Sequence, residues 1–137
     1  MAKPMNMKRI LASLAAVALA ASPALASAKS PLEGHWKHGS MVIEIAPCGP
    51  KLCGTVVKAS ANQQKKAQKG SGTELIGARL ITDIEQTGQN TYKGHVFAAD
   101  RNIYASGTIR QVSHDRLDVK GCVLLVICKS RSYDRVR

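Results

Sequence analysis

Residues 41–57 read MVIEIAPCGPKLCGTVV, and the reading of this stretch decides the fold. Met41, Ile43 and Ile45 alternate with Val42 and Glu44, the period of two that separates the faces of a strand. After Cys53 the run GTVV is again strand-like, and Gly49 and Pro50 supply a turn between the two. If the runs pair as a hairpin, Cys48 and Cys53 face each other across its mouth, where their side chains can meet. Two other readings of the pair exist, a metal knuckle and a redox site. Zinc is commonly held by C-x-x-C pairs, whereas four residues separate Cys48 from Cys53 and five separate Cys122 from Cys128. A thioredoxin-type site needs C-x-x-C opening a helix, and neither pair has that form. The spacing favours staples, so no metal and no cofactor is expected.

The other end of the chain indicates where such staples would form. Residues 1–9 carry Lys3, Lys8 and Arg9 and no acid, and the apolar run ILASLAAVALAA follows, then Ser22-Pro23 and ALASA. A basic start, a short apolar stretch and a small-residue A-x-A site make a secretory signal peptide. The run is shorter than the roughly 20 apolar residues of a membrane-spanning helix. Cleavage is expected after Ala28, with Ala26 the second choice. A leader of residues 1–28 and one domain of residues 29–137 follow, in the periplasm or secreted. An even cysteine count in a small exported chain points to disulfides. Four cysteines allow three connectivities, and the local one is expected, Cys48 with Cys53 and Cys122 with Cys128.

The domain has little helical patterning. Leu80 to Ile84, Tyr92 to Phe97, Ile103 to Val112 and Leu117 to Cys122 read as short strands. Gly88-Gln89-Asn90, Asp100-Arg101-Asn102 and Ser113-His114-Asp115 are the turns between them. The expected architecture is all-β, a small antiparallel meander barrel of about seven or eight strands, clipped by disulfides. Lys58 to Thr73 (KASANQQKKAQKGSGT) breaks the rhythm and reads as one long, exposed basic loop with at most one helical turn at Asn62 to Gln68. Barrel closure requires the first and last strands to meet. Trp36, the only tryptophan, stands near one end and Arg135 near the other, so the guanidinium is expected over the indole face. That pairing resembles the closing G-x-W and arginine of lipocalin-like barrels.

The segments PLEGHW, VIEIAPCGPKLCGTVV, LIGARLITDI, YKGHVFAADRNIYASGTI and LDVKGCVLLVICKSRSYDRV resemble, in that order, a bacterial exported family known as domain of unknown function 2147. The resemblance runs from Pro31 to Val136 and implies a small, secreted or periplasmic, mostly β domain with no established activity. Two places depart from the family pattern. Tyr133 stands where the family usually has Trp, and KGHVFAAD replaces a Gly-rich G-G-x-I-Y-D-P.

Catalytic patterns are sparse. His35 and His38 are three apart, which on a strand places them on opposite faces, and the four histidines read as solvated. Ser132, Asp134 and His114 are triad residue types without a G-x-S-x-G context. An enzyme is not expected. Charge is the remaining clue. Without Lys3, Lys8 and Arg9, 17 of the 20 basic residues stand against nine acidic ones, a net +8. Lys58, Lys65, Lys66 and Lys69 cluster in the long segment and are the expected contacts for an anionic envelope surface. With one Trp, three Tyr and one Phe there is no aromatic platform for nucleic acid. The expected function is non-catalytic binding of a lipid or other small apolar or anionic ligand by a monomeric barrel. The alternative is a protein-interaction module of the periplasmic lysozyme-inhibitor kind, which would have a filled core and an exposed loop shaped for a cleft.

Overall fold

The computed structural model describes residues 28–124 and 126–137, so the leader expected over residues 1–28 lies, save for Ala28, outside the described residues. Eight strands follow one another as β1 Gly34–His38, β2 Met41–Pro47, β3 Leu52–Lys58, β4 Arg79–Gln86, β5 Thr91–Ala98, β6 Ile103–Ser113, β7 Arg116–Val123 and β8 Ile127–Arg135. Each pairs antiparallel with its chain neighbour, and β1 meets β8 through Trp36↔Arg135 and Lys37↔Asp134 to close the barrel. Closure removes the open edges that a free sheet would expose.

Sequential order has a geometric consequence. The β1–β2, β5–β6 and β7–β8 turns and the β3–β4 connection gather at one pole, and the remaining turns gather at the other. Alternation then decides what fills the middle. Trp36, Ile43, Ile45, Val56, Ile84, Tyr92, Ile109 and Leu117 point inward and are buried. An eight-stranded barrel is just wide enough for such side chains to fill.

The connection between β3 and β4 corrects the long basic loop. Ala61–Ser71 is an α-helix, α1. Ser60 caps it: its hydroxyl accepts from the Gln63 N–H at 3.1 Å, and the Gln63 side chain accepts from the Ser60 N–H at 2.9 Å. Gly72, with φ 68°, takes the left-handed position that ends the helix. The helix is anchored as well as capped. Ala67 is buried, and Gly70 lies so close to the Asp100 backbone that a side chain there would collide with it.

The two disulfides sit at opposite poles. Cys48–Cys53 closes the β2–β3 hairpin, and Cys122–Cys128 joins directly opposed residues of β7 and β8.

Candidate functional site

The pole that holds β2–β3, β4–β5 and β6–β7 is plugged. Leu32 is wholly buried there, and its carbonyl accepts from the Trp36 indole N–H at 2.8 Å. The Arg135 guanidinium lies 4.2 Å from the centre of the Trp36 ring. It also donates to the carbonyls of Pro31 (2.7 Å), Glu33 (3.0 Å) and His114 (2.9 Å). The indole face and these three acceptors tie the segment before β1, the β6–β7 turn and β8 together. Asp115 completes the plug from outside. The hydrogen bond from His114 and that from Arg137 hold its carboxyl below the usual carboxylate value.

The opposite pole is open. A cavity of about 510 Å³ descends from it into the lumen. Its walls are apolar, with Leu80, Ile81, Val96, Phe97 and Val119 among them, and α1 leans over one side through Gln63, Lys66 and Ala67. Space is left because small residues occupy inward positions in this half. Ala105 lines the cavity, and a methyl added at Gly121 would meet only Ala105 at 3.6 Å and Val96 at 3.9 Å.

Register puts charge at the rim. Directly opposed residues of an antiparallel pair share a face. Leu117↔Tyr133, Val119↔Arg131 and Gly121↔Lys129 therefore turn Tyr133, Arg131 and Lys129 toward the lumen. Lys66 and Arg101 reach the same cavity from α1 and the β5–β6 turn. Arg101 is paired with Asp100 at 3.8 Å, while Lys66, Lys129 and Arg131 have no carboxylate within 4 Å among the described residues. Three cations without such a carboxylate partner, of which Arg131 also lies 3.4 Å from His38 Nε2, stand around an apolar recess. They form a site for a molecule with an anionic head and an apolar body. Tyr133 adds a polar handle deep on that wall. Burial raises its phenol above the ordinary value, opposed by the nearby Arg131 charge, so it stays a hydrogen-bond donor near neutral pH.

Of the lysines expected to share one role, only Lys66 lines the cavity. Lys58 ends β3, and Lys65 and Lys69 are exposed on α1 at the same pole. His35 pairs with Glu44 (3.0 Å), His95 with Asp83 (3.8 Å) and His114 with Asp115 (2.9 Å), all at the surface. His38 differs from the solvated reading. It is half-buried, with Nδ1 2.8 Å from the Ser132 carbonyl and its ring 5.3 Å from that of Tyr133. The triad residue types do not meet. The Ser132 hydroxyl donates to Asp118, and His114 bonds Asp115. Lys129, Arg131 and Tyr133 were missed as site residues. Strict alternation back from Arg135, expected over the Trp36 indole, would have put positions 133, 131 and 129 on the inward face.

Residues 34–135 match the family model described as "Uncharacterized protein conserved in bacteria (DUF2147)". Among solved structures, the barrel is similar to protein HP1028 of the human pathogen Helicobacter pylori, described as belonging to the lipocalin family. Identity is 14% and the TM-score 0.59, over 77% of this chain and 83% of that one, a likeness of fold. No curated protein matches the chain.

Proposed function

Because this chain belongs to the bacterial family DUF2147, whose description assigns no activity, we propose its function from its own cavity: an exported, non-catalytic carrier of a small anionic amphiphile. The observation that carries this reading is the apolar recess of about 510 Å³ opening beside Lys66, Lys129 and Arg131. That volume lies within the roughly 300–1,000 Å³ of ligand sites. The apolar body would fill the lumen between Ile81, Val96 and Val119, and the head would meet the rim cations. A lipocalin-like barrel suits such a ligand, and two disulfides suit an oxidising compartment. A module that works by inserting a loop into a partner's cleft has no use for an open lumen, so the cavity weighs against the inhibitor reading.

The test separates body from head. Titration with a fluorescent alkyl carboxylate should give saturable binding, with the matching alkyl alcohol markedly weaker. Gly121→Val narrows the recess, since its Cβ would already meet the Ala105 and Val96 side chains at 3.6–4.0 Å, and should weaken binding of both. Arg131→Gln should weaken the carboxylate alone. Equal affinity of carboxylate and alcohol would remove the head-group assignment, and binding unaffected by Gly121→Val would remove the cavity.

A further inference from the structure

The geometry points to the tip of the β7–β8 hairpin as a docking surface for an anionic lipid bilayer. Leu124, Val126 and Ile127 are 81%, 82% and 64% exposed at that tip. Tyr104, 73% exposed and stacked on Phe97 at 4.5 Å, stands on the neighbouring β6, two residues beyond the Ser106↔Cys122 pair toward the same pole. Single exposed apolar side chains need no explanation, but a group at the end of one hairpin does. The turns at the opposite pole are polar, Gly88-Gln89-Asn90 and His114-Asp115. Backbone geometry sharpens the contrast. Leu124 has φ 55°, a left-handed position that turn chemistry gives to Gly or Asn. A leucine held there is strained, and strain of this kind marks functional positions.

Charge selects the occupant. Residues 119–133 contain Lys120, Lys129 and Arg131 and no carboxylate, and Arg101 lies at the neighbouring turn. Lys58, Lys65, Lys66 and Lys69 stand at the same pole, on the far side of the mouth. An apolar tip flanked by cations matches an anionic membrane surface, with the tip in the headgroup–acyl boundary and the cations level with the phosphates. A second copy of this chain would press the same cations against each other. The Cys122–Cys128 bond directly below the tip holds the hairpin in one shape, so little freedom is lost on docking. Docked this way, the mouth faces the bilayer; Leu124 and Val126 stand outside the cavity, while Lys129 and Arg131 serve both the tip and the rim.

The experiment uses the oxidised protein with vesicles of phosphatidylcholine, alone or mixed with phosphatidylglycerol. Binding is expected on the anionic vesicles, weak on the neutral ones, and reversed by about 0.5 M salt. A Val126→Trp variant should shift its emission to the blue on anionic vesicles, since Trp36 is already buried at the other pole. Leu124→Asp with Val126→Asp should abolish vesicle binding at an unchanged melting temperature, and Lys129→Gln with Arg131→Gln should weaken it about fivefold per charge removed. Leu124 and Val126 do not line the cavity, so the Asp pair should still bind the fluorescent alkyl carboxylate. The proposal is overturned if the parent ignores anionic vesicles, or if the Asp pair binds them equally well. It is also overturned if the parent is a dimer that the Asp pair renders monomeric, which would assign the tip to a second copy.

Discussion

Arg135 holds more of the closed pole than any neighbour, because its fork reaches three carbonyls while its face covers an indole. A lysine at the same place keeps the charge but loses the planar fork and the stacking. Arg135→Lys should therefore lower stability by about 1–3 kcal/mol, since it leaves partly buried acceptors unmet. Urea unfolding followed by circular dichroism measures this, and a midpoint shift of near zero would show that water replaces the guanidinium without loss. At the mouth, register rather than residue type makes the difference. Lys129 and Arg131 look like ordinary surface cations by residue type, and it is their place in the alternation of β8, opposite Gly121 and Val119, that turns them inward.

Helix α1 teaches the limit of patterning at the scale of an element. Its sequence, ANQQKKAQKGS, has no apolar stripe, and Ala67 alone is buried. Amphipathic periodicity therefore could not reveal it. The signal that went unread was its boundary chemistry, Ser60 three residues before Gln63 and Gly72 after the last turn, a capping box and a left-handed stop. Strands such as β6 and β7 were legible because they bury one face and alternate. The helix docks instead through absence of bulk: Gly70 meets the Asp100 backbone. Gly70→Ala should force α1 off the β5–β6 turn and cost about 1–3 kcal/mol, the usual range for overpacking, despite alanine's better helix propensity. Thermal melts of the variant decide this. A stabilised variant would show that the turn yields and the contact is loose.

At the scale of the whole molecule, the barrel could be read from strand count, turns and the two ends, but the cavity could not. Whether a small barrel is full or hollow depends on which inward positions hold Gly and Ala, and that needs the register of Gly121 and Ala105 against Val96. The order of pairing has a further consequence, in time. Seven of the eight strand pairings join chain neighbours, so hairpins can form from local encounters. Closure alone spans the domain: Arg135 and Glu33 are 102 positions apart, and such a loop is the slowest to close. Trp36, the sole tryptophan, sits at that seam and acts as a clock for it. In stopped-flow refolding, Trp36 fluorescence should lag the far-ultraviolet dichroism of the strands. Arg135→Lys should then accelerate opening while leaving the early phase untouched, because a late-forming contact changes the unfolding rate. Coincident traces at both probes would mean that the seam forms with the first hairpins. A late seam would leave an open meander as the species most exposed to edge pairing with other chains.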